Sequence, residues 1–249
     1  MTGSKRSGDV KGVVLAGGTG SRLHPLTKVT NKHLLPVGNR PMIYHVVEQI
    51  MGCGITEIMV VTGREHMGEV VGLLGSGSEL KCDFTYRVQD RAGGISEALG
   101  LARTFVGTGR MLVVLGDNIF EKPIEPYYDR FLAQGSGARV LLKEVDNPTR
   151  FGVAELKDGR IAAIEEKPKA PKSRLAVTGV YMYDAKAFEY VSELKPSLRG
   201  ELEITDVNNA YAREGQLHYD VVDGWWTDAG TFESLQLANR LVTERDGMQ

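Results

Sequence analysis

The sequence predicts an α/β fold, a three-layer arrangement in which a mixed, mostly parallel sheet is flanked by helices. Short apolar runs alternate with stretches of helical periodicity through the first half of the chain. Two of those runs, Val13–Leu15 and Met111–Leu115, are continuously apolar, as strands buried on both faces are. A glycine cluster (Gly17, Gly18, Gly20) directly follows the first run, so that strand ends in a loop whose backbone N–H groups can approach an anion.

Taken in order, residues 1–9 are polar with Gly and Ser and are expected to form a disordered tail. After the first strand, Pro41 is placed as the first residue of a helix. Met42, Ile43, Val46, Val47 and Ile50 fall on one face of it, and Gly52 and Gly54 close it. A strand over Ile58–Val61 follows. Gly94 leads into a second amphipathic helix carrying Ile95, Ala98, Leu99 and Ala102, and the strand Met111–Leu115 reads as central. Beyond about residue 138, Phe151–Leu156 and Arg160–Ile164 flank Asp158–Gly159, a hairpin signal that brings antiparallel pairing into the sheet. A last helix runs from Thr231 to Leu241, with 242–249 expected as a tail. No repeat or flexible linker divides the chain. One domain over 10–241 is expected, in two halves at about 10–120 and about 121–241.

With 249 residues and 42% hydrophobic content, the chain can bury one sizeable core. A net charge of −2 argues against a nucleic-acid partner, which usually meets a basic face, so any phosphate binding must be local. The two cysteines, Cys53 and Cys82, form no Cys-x-x-Cys, and no secretion signal precedes them. Reduced buried thiols in a cytoplasmic protein are expected. No apolar run approaches the roughly 18 residues of a membrane span.

The loop after the first strand carries the most chemistry. Arg22 lies two residues beyond Gly20 and Lys32 further on, so two cations can flank an anion cradled there. The spacing lacks the Gly-Lys-Ser/Thr of a P-loop. It also lacks the third glycine and the acidic residue roughly 20 positions on of a dinucleotide fingerprint. Asp117 ends the central strand. A lone Asp there is commonly a turn former, but a carboxylate at the carboxyl end of a strand beside a phosphate loop also suits Mg²⁺. The five histidines show no zinc-ligand spacing. His24-Pro25-Leu26 lacks the second histidine of a His-Pro-His nucleophile, and His33 reads as a surface or packing residue.

The string Leu-Ala-Gly-Gly-Thr-Gly-Ser-Arg-Leu at 15–23, with Lys32 shortly before Leu-Pro, resembles the signature of the sugar-1-phosphate nucleotidylyltransferases. Further motifs follow in the same order: Leu-Gly-Asp-Asn at 115–118, Glu-Glu-Lys-Pro at 165–168, Val-Thr-Gly-Val-Tyr at 177–181, Gly-Glu-Leu-Glu-Ile-Thr-Asp at 200–206, and Trp-Thr-Asp-Ala-Gly-Thr at 226–231. The likeness covers about residues 10–240 and is greatest to the glucose-1-phosphate thymidylyltransferases, in a short form.

The resemblance implies a Rossmann-like fold of the nucleotide-diphospho-sugar transferase type, with a nucleotide-binding half at about 10–120 and a sugar-phosphate-binding half at about 121–241. It also implies transfer of a thymidylyl group from dTTP to α-D-glucose 1-phosphate, giving dTDP-glucose and pyrophosphate for deoxysugar (rhamnose-type) biosynthesis. Leu15, Ala16, Gly17, Gly18, Gly20, Arg22, Lys32, Gln89, Gly94 and Asp117 are then expected on the nucleotide. Asn118, Gly152, Glu166, Lys167 and Val177 are expected on the sugar phosphate, and Asp228 joins Asp117 on Mg²⁺. Arg22, Lys32 and Lys167 are the catalytic cations; Trp225 and Trp226 receive no role. In thymidylyltransferases a proline-containing stretch follows the Gln that meets the pyrimidine, whereas Asp90–Ser96 has no proline. One methyl group separates thymine from uracil, worth about 1–3 kcal/mol, so UTP is expected as at least a side substrate. Another sugar 1-phosphate, or a catalytically silent member of the fold, are the rival readings. The resemblance implies a homo-oligomer, dimer or tetramer. Longer members carry extra helices that help form a regulatory nucleotide site, and the ending of this chain leads to the expectation that such feedback is lost.

Overall fold

The computed structural model describes residues 10–247; the tail expected over 1–9 and residues 248–249 lie outside the described residues. β1 (Val10–Ala16) is followed by the ribbon of β2 (Pro36–Val37) and β3 (Arg40–Pro41), then α1 (Met42–Gly52), β4 (Glu57–Gly63), α2 (Met67–Leu74) and β5 (Asp83–Gln89). Next come α3 (Ile95–Gly100), α4 (Arg103–Val106), β6 (Arg110–Leu115), β7 (Asn118–Phe120) and α5 (Glu125–Gln134). The chain continues through β8 (Ala138–Glu144), β9 (Gly152–Lys157), β10 (Arg160–Glu166), β11 (Leu175–Tyr183), α6 (Ala187–Glu193) and α7 (Ile204–Arg213). It ends with β12 (Leu217–Val221), β13 (Trp226–Asp228) and α8 (Phe232–Asp246).

The main sheet is mixed and has nine strands, ordered β10-β9-β11-β6-β1-β4-β5, with β8 on β11 and β12 on β8. Its β6-β1-β4-β5 portion is wholly parallel, and antiparallel pairing enters where β11 meets β6. Alternation along β1 explains the layers. Val14 and Ala16 face α1, α2 and α5, whereas Val13 and Leu15 face α3, α4, α6 and α7. Both faces are covered, which is why β1 reads as an unbroken apolar run. The chain moves outward from β1 to β4 and β5 and returns on the other side as β6. Opposed connections open a crevice at the carboxyl ends of β1 and β6, the usual ligand position in such sheets.

Three elements depart from their expected bounds. Pro41 caps α1 rather than opening it, because its extended backbone (ψ 139°) is paired with Pro36 in the ribbon. The helix expected through Ala102 is broken into α3 and α4, since Leu101 and Ala102 donate to the carbonyls three residues back instead of four. The last helix runs to Asp246, not Leu241, so residues 242–246 are not tail. Val242 is fully buried in the third core cluster with Leu23, Leu35 and Met42, and Arg245 donates to the Phe120 carbonyl at 3.2 Å. The Asp158–Gly159 hairpin forms as expected, with φ of 52° and 73° and Lys157 opposite Arg160.

Candidate active site

The crevice is built first by the glycine loop. Gly18 and Gly20 have φ of 93° and 61°, and a Cβ on Gly20 would press on Thr27 at 3.0 Å. Thr27 donates its hydroxyl to the Gly20 carbonyl at 2.7 Å, so the loop is tied back on itself. Leu15 and Ala16 are buried, Ala16 wholly so, and its carbonyl accepts from Asn31 Nδ2 at 3.3 Å. Arg22 rides on the single turn Ser21–Leu23, and its guanidinium points to Gly230. Lys32, on the turn that Asn31 caps, sets its ammonium 2.5 Å from Asp117 Oδ2.

Asp117 and Asp228 converge. A Cβ on Gly230 would lie 3.4 Å from Asp117 Oδ2, 3.3 Å from Asp228 Oδ2 and 3.2 Å from Arg22 Nη2, so one small residue separates the three groups. Burial raises the Asp228 carboxyl above its ordinary range, with the Asp117 charge adding to the effect. Burial alone would raise Asp117 too, but the Lys32 ammonium outweighs it and holds Asp117 below the carboxylate range. Two carboxylates that converge on Gly230, one of them raised in part by the charge of the other, are hard oxygen donors that fit a Mg²⁺ site. Among the described residues no group of three or more His, Cys, Asp or Glu forms a metal cluster, so any third and later ligands would come from water or phosphate.

Asn118 braces Asp117. Its Nδ2 donates to Asp117 Oδ1 at 2.9 Å, while its Oδ1 accepts from the Gly179 N–H at 2.8 Å and from Trp226 Nε1 at 2.7 Å. A Cβ at Gly179 would strike Asn118 at 2.5 Å, so only glycine leaves room for the brace. The Trp226 ring packs on Phe151, 5.2 Å between centroids. Sequence reasoning gave Trp226 no role because the partner it holds lies 108 residues away.

Across the crevice, β10 ends at Glu166 and Lys167 takes φ 44°, a left-handed backbone unusual outside glycine. The Lys167 N–H donates to the Phe151 carbonyl at 3.0 Å, which holds that turn against Gly152. Glu166 accepts from Thr205 Oγ1 at 2.6 Å and from Arg199 Nη2 at 3.4 Å. Val177 lines the same hollow of about 160 Å³ as Gly152, Glu166, Lys167, Asn118 and Asp228. Arg150 also borders it, donating to Asp228 Oδ2 at 3.1 Å. The sequence gives no signal for Arg150, and it marks Thr205 only as part of the Gly-Glu-Leu-Glu-Ile-Thr-Asp motif that Arg199 immediately precedes.

A second cleft of about 500 Å³ opens on the other side of the glycine loop, between Gly18 and the turn Gln89–Ala92. A third hollow lined by Gly17, Arg22, Lys32, Gln89, Gly94 and Asp117 lies between the two, sharing Gln89 with one and Arg22 with the other. The residues expected on nucleotide and on sugar phosphate are therefore brought to one trough, except Ala16 and Gly20, which line none of the three hollows. His33 is not at the surface. It is 1% exposed, packs on Gly116, and burial lowers its pKa to about 3, with the Lys32 charge adding to the shift. Burial pushes the free thiol of Cys53 up to about 12 and raises that of Cys82, so neither is a ready nucleophile. No helix among the described residues is long and apolar enough to cross a membrane.

Residues 11–245 match the family described as nucleotidyl transferase. A glucose-1-phosphate thymidylyltransferase of Neisseria meningitidis serogroup A is 42% identical over 244 residues, covering 96% of this chain and 85% of its own. The low-salt glycan biosynthesis nucleotidyltransferase Agl11 of Haloferax volcanii is 41% identical over 237 residues, and the chain spans 66% of that relative's length. Among solved structures, a Bacillus anthracis protein provisionally assigned as a glucose-1-phosphate thymidylyltransferase, in complex with sucrose, superposes with a TM-score of 0.90. It has 63% identity, and the match covers 93% of this chain and 94% of that one. A UDP-glucose pyrophosphorylase complexed with UDP-glucose gives a TM-score of 0.84 at 26% identity, covering 95% and 99%. By its motifs, its trough and these likenesses, the chain belongs to the nucleotidyl transferase family and is a sugar-1-phosphate nucleotidyltransferase.

Proposed function

We propose that the protein transfers a thymidylyl group from dTTP to α-D-glucose 1-phosphate, releasing pyrophosphate and forming dTDP-glucose, a precursor of deoxysugars. The observation that carries this reading is the meeting of Asp117, Asp228 and Arg22 at Gly230, between a glycine loop on one side and Lys167 on the other. Asp117 and Asp228 would hold Mg²⁺, which when bound supplies positive charge to the reacting phosphates. Arg22 and Lys32 offset the charge of the departing pyrophosphate, Lys167 aims the sugar phosphate, and Glu166 and the backbone of Gly152 and Val177 receive the sugar hydroxyls. The nucleophile is a phosphate oxygen that already bears charge. No general base is needed, and positioning with electrostatics supplies the rate. Gln89 and the Gly94 backbone meet the pyrimidine edge. Transfer from UTP is the second reading, favoured by the fold shared with the UDP-glucose enzyme and by a proline-free turn after Gln89.

Pyrophosphate release across a panel of nucleotides and sugar 1-phosphates, with and without Mg²⁺, tests the reading. Release is expected with dTTP and glucose 1-phosphate together, weaker release with UTP, and none in excess EDTA. Equal turnover in EDTA would remove the metal assignment, and a preference for another pair would replace the substrates.

A further inference from the structure

Gln89 stands at the end of β5 with only 7% of its surface exposed. Its Nε2 donates to two acceptors, the Gly94 carbonyl and Glu97 Oε1, each at 3.2 Å. A carbonyl and a carboxylate can only accept, so a flipped amide would set Oε1 against two lone-pair partners. The orientation is thus fixed by chemistry. Glu97 is fixed in turn, since Arg91 Nε donates to its other oxygen at 3.0 Å. The glycines around it are required for this approach. A Cβ on Gly93 would come within 2.0 Å of Glu97 Oε2, and Gly94 has φ 99° with the Leu202 carbonyl 2.5 Å from where its Cβ would be. The clamp replaces the stiffness that the turn 90–94 lacks without prolines.

With both Nε2 protons committed, Gln89 offers the trough an acceptor alone. Its Oε1 lies beside Gly17, 2.9 Å from a Cβ built there, and among the described residues no donor reaches it. We propose that Glu97 is the positioning residue for base choice: it locks the Gln89 amide so that Oε1 faces the nucleotide, selecting a pyrimidine whose N3 carries a proton. This rests on the reading of Gln89 as the residue that meets the base. Thymine and uracil present an N3–H donor, whereas cytosine turns a bare N3 lone pair toward the same oxygen.

The test measures dissociation constants for dTTP, UTP and dCTP by calorimetry on the full chain, and kcat and KM with glucose 1-phosphate. Glu97→Leu removes the acceptor at similar volume; Glu97→Gln keeps a carbonyl oxygen and should rescue. In Glu97→Leu, Kd and KM for dTTP are expected to rise about tenfold, with kcat within about twofold and the dTTP preference over dCTP about tenfold weaker. Glu97→Gln is expected to lie within about threefold of the unaltered protein. Arg91→Ala, at a side chain 83% exposed, is expected to loosen the clamp in the same direction without endangering the fold. An unchanged dTTP-to-dCTP ratio in Glu97→Leu, or in Arg91→Ala if the former does not fold, overturns the proposal alone. An unaltered protein that binds dCTP as well as dTTP would overturn the reading of Gln89 along with it.

Discussion

Asp117 carries two constraints at once, a charge paired with Lys32 and a shape held by Asn118. Asp117→Asn preserves the shape and removes the charge. It is expected to lower kcat by about a hundredfold or more, the scale for loss of one preorganised electrostatic group, with the circular dichroism spectrum unchanged. Lys167 separates function from stability more sharply. Because its backbone sits at φ 44°, Lys167→Gly relieves local strain while deleting the ammonium. Activity is expected to fall at least about a hundredfold while Tm stays level or rises, read by steady-state kinetics and thermal denaturation. His45 gives a pH dependence outside the site. Burial lowers its pKa, the Val37 carbonyl that it meets at 3.0 Å partly offsets this, and the Arg40 charge lowers it further. The unfolded chain therefore takes up a proton below about pH 6.5 that the native state refuses, so stability is full above that pH and falls as pH drops through it. Urea unfolding at pH 7.5 and 5.5 is expected to show a smaller loss in His45→Gln than in the unaltered protein.

Elements differ in how far the sequence reveals them. α1 and the 158–159 hairpin were legible because local signals suffice there: five apolar residues on one face, and two residues that tolerate positive φ. The break between α3 and α4 was not, since Leu101 and Ala102 keep the helical period while their hydrogen bonds shift. The glycine loop, Lys32, Asp117 and Lys167 could be read from motifs, but the groups that orient them could not. Trp226 and Gly179 reach Asn118 across 108 and 61 residues, and Arg150 reaches Asp228 across 78. Such pairs exist only once β7 and β13 have paired with each other and come to lie against β11 of the main sheet. α8 shows the same coupling, because Thr231 caps it immediately after the Asp228–Gly230 turn, with Thr231 and Ser234 exchanging bonds in a capping box. Thr231→Ala is expected to cost about 1 kcal/mol, or about 2–4 °C in Tm, checked by calorimetric melting.

Across the whole molecule, the carboxyl ends of the parallel strands β1 and β6 deliver the glycine loop and Asp117, and the antiparallel addition delivers Glu166 and Lys167 to the opposite side of the same trough. Two substrates would therefore sit side by side with their phosphates meeting at Asp117 and Asp228. His33 is withdrawn into the core and the cysteine thiols are buried, so none of these three groups is placed to carry a covalent nucleotidyl intermediate. In the proposed reaction the sugar phosphate attacks the α-phosphorus directly. The measurement closest to that claim incubates the protein with Mg²⁺, dTTP and labelled pyrophosphate in the absence of any sugar phosphate. No label is expected to enter dTTP until glucose 1-phosphate is added, because pyrophosphate leaves only when the sugar phosphate attacks. Rapid exchange of label into dTTP without sugar phosphate, together with a trapped nucleotidyl-protein, would contradict direct transfer between these two substrates.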